Sequence, residues 1–386
     1  MPKLLKRKFD LQEIILEIPA TLRLSAPMVA GLIGQMLLSW ADNLMIGPLG
    51  VTPLAACAFA NNVLIVFLVF GYGVMSSVSV LASQAFGGGR KEEVGEVLLA
   101  GGLLALLCGL LLSFVAIALL PIYQFLGQPV EVVNKSKTYL IFVAASIVPT
   151  LIFTSAKSFA ESVLRPWLPF WVTLTSVLLN VFLNWVFIYG NLGVIPLELT
   201  GAGLATFLSR LASMILLILI IFAVPHFRAF LLSLKSFPSK ELFLRIFKHI
   251  PTLFRIGLPS GLQVIAEVGA FSFAGLMMGW LGSVSLAAHQ IALTCAGTSF
   301  MIPLGVSHAL TVRIGQIFGS RQNHKLLPVA ASGLFFSLFV MSLSAVIFFV
   351  FARQISSWFL QTYEVVNLAS NLLVIVGIFQ LFDGTQ

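Results

Sequence analysis

The sequence predicts an all-α polytopic membrane protein, a two-lobed helical bundle of parallel six-helix repeats with about ten of an expected twelve transmembrane helices present. Three observations point there. Of the 386 residues, 59% are hydrophobic and 9% charged, with a mean hydropathy of +1.04, a composition outside the range of soluble domains. Ten apolar runs, separated by polar or turn-rich breaks, are each long enough to cross a hydrocarbon core of about 30 Å. The chain also matches itself at a constant offset.

The opening segment 1–23, "MPKLLKRKFDLQEIILEIPATLR", starts basic but interleaves acids. It reads as an amphipathic helix on the cytoplasmic surface rather than a cleavable signal. Spans at about 24–46, 53–83, 97–121, 138–161, 167–189 and 201–224 make an N-lobe, 24–224. A basic cytoplasmic linker, 225–253, leads to spans at about 254–281, 286–311, 327–351 and 366–386, the C-lobe, 254–386. The runs are continuous and do not alternate at period two, so helices fit better than barrel strands.

The net charge of +8 follows from topology, and nucleic acid is not expected as a partner. Lys3, Arg7, Arg23, Arg90, Arg165 and the linker bases fall on one side, against Lys135, Lys137 and Arg353 on the other. Lys and Arg of short loops stay inside, which puts the N-terminus and the linker in the cytoplasm of a multi-pass inner-membrane protein. Lys157, Arg210 and Arg313 lie near span ends, where snorkelling explains them. Cys57, Cys108 and Cys295 sit in apolar runs without paired or metal-ligand spacing and read as packing residues.

A shift of 232 residues places Pro27 on Pro259, Gly47 on Gly279, Gly50 on Gly282, Ala55 and Ala56 on Ala287 and Ala288, and Gln84 on Gln316. No gap interrupts the match. Six spans separate the copies, so both cross in the same direction and should be related by an axis along the membrane normal, as in some secondary transporters with the substrate path between lobes. A complete second copy would run to about residue 456, roughly 70 beyond Gln386. The expectation is therefore a truncated chain, with a naturally short second lobe as the alternative.

Within this oily sequence, Asp42, Glu267 and Asp383 fall inside spans, and Glu161 lies near a boundary. A carboxylate at mid-bilayer costs about 2.5–3.5 kcal/mol or more, so such groups face a cavity, a partner or a transported ion. Pairing with Arg210 or Arg313 would make the acids mere helix ties. The repeat argues against that, because Asp42 maps onto Ala274 and Glu267 onto Gln35: the fold tolerates neutral residues at both places. A desolvated carboxylate is suited to exchanging a proton or binding Na⁺, and the change in its charge can favour one helix arrangement over another. Pro27, Pro149, Pro259 and Pro303 supply kinks or exposed carbonyls.

Other motifs are weaker. "GYG" at 71–73 lacks the threonine and valine of a potassium filter, and "FGGGRKEEV" lacks the Lys-Ser/Thr of a phosphate loop. His289 has no second ligand nearby and suits helix contacts better than a metal. An intramembrane protease would need two converging aspartates with Gly-Asp, whereas "LFDGTQ" has Asp-Gly.

The pieces "SAPMVAGLIGQMLLSWADNLMIGPLGVTPLAACA", "LASQAFGGGRKEEV", "GLPSGLQVIAEVGAFSFAGLMMGWLGSVSLAAHQIAL", "MIPLGVSHALTVRIGQIFGS" and "FQLFDGTQ" together resemble the multidrug and toxic compound extrusion (MATE) family, NorM-like branch, over essentially the whole chain. The resemblance implies a twelve-helix, non-enzymatic antiporter without a cofactor. Such a protein exports small organic cations or drugs across the bilayer in exchange for Na⁺ or H⁺, and a monomer is expected. Asp42 matches the family's first-helix aspartate, Glu267 the seventh-helix acid and Asp383 the tenth-helix aspartate, the last two suited to Na⁺ as metal ligands. In "LLNVFLNWVFIYG" Asn180 is followed by Asn184 where the family often has Asp, and Thr206 matches a polar position facing the same cavity. With Gln290 of the Ala-Ala-His-Gln piece, these are the candidate coupling and substrate-binding residues. A flippase for a lipid-linked substrate, which would call for a basic cavity, and an inactive fragment are the alternatives.

Overall fold

The computed structural model describes residues 11–360 and 362–385. The basic start of the opening segment, 1–10, lies outside the described residues. Among those described, the secondary structure is helical: α1 Leu11–Ile46, α2 Val51–Gly87, α3 Lys91–Ala118, α4 Val130–Ala145, α5 Ile147–Ser162, α6 Trp167–Tyr189, α7 Glu198–Ala223, α8 Pro225–Ser233, α9 Ser239–Trp280, α10 Ser283–Gly319, α11 Leu326–Phe359 and α12 Tyr363–Asp383. Among the described residues ten segments are long and apolar enough to cross a membrane, with α4 and α5 together forming one of them.

Three element boundaries differ from the sequence reading. The described part of the opening segment is continuous with the first span, because α1 runs unbroken from Leu11 through Pro19 and Pro27. The basic linker is mostly helical, supplying α8 and the first turns of α9. The fourth span breaks at Ser146. Pro149 accounts for the break: it has no N–H to give to the carbonyl of Ala145 four residues back, and its ring crowds that carbonyl. The "GYG" string lies inside α2, so its carbonyls belong to a helix ladder and form no filter.

The repeat is visible in backbone detail. Val51 and Ser283, the first residues of α2 and α10, are 232 apart, as are the last, Gly87 and Gly319. Each helix is preceded by a glycine with φ 110°, Gly50 and Gly282, a conformation that only glycine adopts without strain. Just past the ends of these helices stand Gly89 with φ 70° and its equivalent Arg321 with φ 60°, so the second copy places an arginine where the first uses glycine.

The described residues divide into two compact units, one comprising those through Leu32 with those from Ala266 onward, the other Ile33–Ile265. Helices α1 and α9 are therefore each divided between units. In the second unit α2 packs on α3, α4 and α5, and α7 on α4, α5 and α6; in the first, α10, α11 and α12 pack together.

Glycine lets the divided helices approach closely. A Cβ on Gly73 of α2 would lie 2.5 Å from the Cα of Gly261 on α9. Its equivalent Gly305 on α10 presses on Val29 of α1, and 29 is the repeat equivalent of 261. Each unit thus seats the visiting half-helix at the same register. Polar ties join these contacts. In the second unit His249 of α9 meets the buried Glu96 of α3 at 2.9 Å, and Arg245 lies 3.4 Å from the same carboxylate. In the first unit Arg313 of α10 pairs with Glu17 of α1 and donates to Thr21, and Thr21 meets Ser332 of α11 at 3.1 Å.

These ties replace the snorkelling reading of the embedded bases. Arg313 is held by Glu17, Arg210 donates to Ser146 Oγ at 2.8 Å, and Lys157 lies 3.9 Å from Glu161 on the same helix, both largely buried.

Two substitutions test this packing. Gly73→Leu should lower stability by about 1–3 kcal/mol, because its side chain meets backbone that cannot yield. Arg321→Gly should raise it by about 1 kcal/mol by relieving a left-handed non-glycine residue. Thermal unfolding of the purified protein in detergent measures both.

Candidate functional site

In the second unit the sequence brings five polar side chains onto three helices. Asn180 and Asn184 are four residues apart on α6 and so share one face. Gly190, with φ 76°, ends that helix in the left-handed conformation and turns the chain into α7. Gly201 then lets α7 lie against the carbonyl of Phe187, 2.6 Å from where a Cβ would stand. This contact sets Thr206 and Ser209 beside the α6 amides, and Asp42, near the end of α1, completes the group.

The geometry is that of one buried network. Asn184 Nδ2 donates to Asp42 Oδ1 at 2.6 Å and to Asn180 Oδ1 at 3.0 Å. Asn180 Nδ2 donates to Ser209 Oγ at 3.4 Å, and Ser209 Oγ donates to the Thr206 carbonyl at 3.0 Å. Thr206 and Asn180 also act on the Asp42 carboxylate, and the charge of Arg210 reaches it. All five residues are buried. Both N–H bonds of Asn184 are used, while its Oδ1 is buried without a partner. An orphan acceptor beside a carboxylate is a place for a donor or a cation.

In the first unit Glu267 of α9 and Asp383, the last residue of α12, are half-buried, and the Glu267 charge acts on Asp383. Two carboxylates within reach of each other repel unless a proton or cation is shared between them. One turn before Asp383, the fully buried Gln380 donates through Nε2 to Ser299 Oγ at 2.6 Å, and its Oε1 has no partner. His289 Nε2 is likewise buried and unpartnered. Gln290, next along α10, is exposed; its backbone carbonyl accepts from Thr294 at 2.8 Å.

The structure therefore groups Asp42 with Asn180, Asn184 and Thr206, and Glu267 with Asp383. Gln290 stands outside both groups. Among the described residues no three His, Cys, Asp or Glu side chains converge as a metal-ligand set; Glu267 and Asp383 contribute two carboxylates. Ser209 and Gln380 escaped the sequence reading, although each lies three residues from a residue it did single out, a spacing that puts both on one helix face.

The MatE family model matches residues 27–186 and 259–386, one segment in each repeat. A probable multidrug resistance protein NorM of Rhizobium meliloti is 34% identical over 376 residues, covering 95% of this chain and 78% of that protein. The multidrug resistance protein NorM of Aliivibrio fischeri is 28% identical, covering 96% and 79%. Among solved structures, the eukaryotic MATE transporter AtDTX14 superposes with a TM-score of 0.85 at 18% identity, covering 96% of this chain and 81% of that one. The bent form of the Vibrio cholerae MATE transporter VcmN gives 0.80 at 19%, covering 97% and 85%. At those identities the two structures speak to the fold alone; by the family model and the NorM relatives, the chain belongs to the MatE family.

Proposed function

We propose that this protein is a secondary active multidrug efflux antiporter. It exports organic, mostly cationic compounds across the inner membrane in exchange for Na⁺ or H⁺, with its N-terminus in the cytoplasm and lobes at 24–224 and 254–386. The observation that carries the reading is that each compact unit holds an intramembrane carboxylate without a basic partner: Asp42, bonded to Asn184, whose Oδ1 is a buried acceptor without a donor, and Asp383, whose charge meets that of Glu267 and whose own helix also carries the unpartnered Gln380 Oε1. Such groups are costly in the membrane unless a cation visits them. The relatives named as multidrug resistance proteins support the substrate class.

Loading and release of the cation drive the cycle. With Asp42 or the Glu267–Asp383 pair ionised, the site attracts a cation, whether Na⁺, H⁺ or the charged drug. Occupancy by one removes the attraction for the other, and the arrangement that releases the drug outside is favoured only while the coupling cation is bound. Exchanging one coupling cation for one monovalent drug moves no net charge, so a tenfold gradient supplies only about 1.4 kcal/mol. Loading both units in each cycle would double that and add about 2.3 kcal/mol per 100 mV of membrane potential.

Three measurements follow. Asp42→Asn, Glu267→Gln and Asp383→Asn should each cut gradient-driven ethidium efflux at least about tenfold while leaving membrane insertion unchanged; unchanged efflux in all three rejects the assignment. Imposed Na⁺ and pH gradients, applied separately, identify the coupling ion, and an imposed potential should speed efflux if both units load. Asn184→Leu removes the donor to Asp42 and should shift the apparent affinity for the driving cation by about tenfold or more, yet add nothing in the Asp42→Asn background.

A further inference from the structure

Helix α2 carries two adjacent carboxamides, Asn61 and Asn62, on an exposed stripe with Leu54, Ala58, Ile65 and Val66. Asn61 is the eleventh residue of a 37-residue apolar helix, about 15 Å along its axis from the start. A carboxamide N–H or lone pair presented to lipid at that depth without a partner costs a few kcal/mol. A water-filled or substrate-filled path relieves that cost.

Asn61 is also held in place. Tyr139 of α4, fully buried, donates its hydroxyl to Asn61 Oδ1 at 3.3 Å. Cys57, one turn earlier on α2 and also buried, donates to the Tyr139 oxygen at 3.4 Å and accepts from Asn61 Nδ2 at 3.4 Å. This closed ring of three bonds fixes the rotamer of an otherwise exposed side chain. It uses one Nδ2–H and one Oδ1 lone pair, leaving the other Nδ2–H and the other lone pair to face outward. The Asp42 charge acts on both Cys57 and Tyr139, so the presented carboxamide stands within electrostatic reach of the coupling carboxylate. The second repeat lacks the arrangement, with His289 at the position of Cys57 and Leu293 at that of Asn61.

We propose that Asn61, positioned by Tyr139 and Cys57, is a specificity-determining residue that accepts a hydrogen bond from N–H groups of organic cations while the Asp42 carboxylate attracts their charge. The proposal rests on the efflux reading. Asn61 selects among cations by whether they carry a donor, and the coupling ion is handled elsewhere.

Equilibrium binding to the purified protein in lipid nanodiscs separates the two ideas. The probes are ethidium, which carries amino donors, and tetraphenylphosphonium, which has none. Asn61→Leu should weaken ethidium binding about three- to tenfold and leave tetraphenylphosphonium unchanged. Tyr139→Phe, which frees the carboxamide without removing it, should give a smaller loss confined to ethidium. Equal losses for both probes, no loss for either, or a wild-type protein that binds neither overturns the proposal. Gradient-driven efflux by the wild type, assayed separately, tests the transport reading: binding with the expected selectivity but without efflux would sink that reading and leave Asn61 as a binding residue.

Discussion

Helices in a bilayer gain no hydrophobic energy by meeting each other, since lipid is as apolar as their side chains. Close backbone approach and internally satisfied polar groups must do the joining, and the rest of this structure depends on that constraint. It is met twice in the same way. Gly73 against Gly261 in one unit and Gly305 against Val29 in the other remove the side chains that would hold the helices apart. Glu96 with His249, and Glu17 with Arg313, then tie those same helices by charge. Residues 17 and 249 are themselves repeat equivalents, although one is an acid and the other a histidine. The register of the tie is shared while its chemistry is not, as expected when two copies of one ancestral unit diverge under the same packing demand.

The same constraint sorts the acids in and beside the spans. Glu96 and Glu17 have basic partners on another helix and act as helix ties, and Glu161 has Lys157 on its own helix. Asp42 has an amide instead, and the charge on Arg210 reaches it while the Arg210 side chain donates to Ser146. Glu267 and Asp383 have each other. A carboxylate kept from a permanent counter-ion keeps its affinity for a transient one, which an exchanger requires and a scaffold does not.

Much of this was legible in the sequence because lipid imposes a simple code. Length and hydropathy set the ten spans, and the 232-residue offset, gapless from Pro27 to Gly87, revealed the repeat. Asp42, Glu267 and Asp383 stood out because charge is rare in such runs. Pro149 was flagged as a kink, but its consequence, a break at Ser146, depends on which carbonyl loses its bond. The ties were missed because hydropathy cannot tell an arginine that reaches the interface from one that meets an acid 296 positions earlier, as Arg313 meets Glu17. Division of α1 and α9 between units was equally hidden, since nothing in the residues near Leu32 or Ile265 marks a change of partner within a continuous helix.

That division bears on how a charge event at one place is felt at another. Asp42 lies on the part of α1 assigned to one unit, while Glu17 lies on the part assigned to the other; Glu267 and His249 divide α9 in the same manner. Helices α1 and α9 are thus each tied by a salt link in one unit and carry a candidate coupling acid in the other, whereas Asp383 of α12 lies in the same unit as its whole helix. Between tie and acid each helix carries two prolines, Pro19 and Pro27 in α1 and Pro251 and Pro259 in α9, and a proline removes a ladder bond, so the acid-bearing part and the tied part of each helix are joined through weakened backbone. The Oδ1 of Asn184, whose amide donates to Asp42, and the Oε1 of Gln380, on the helix that ends at Asp383, are buried acceptors without a partner, so each unit keeps a polar group open to a donor or cation, and an acid without a permanent counter-ion stands on the part of α1 and of α9 that lies away from the tie.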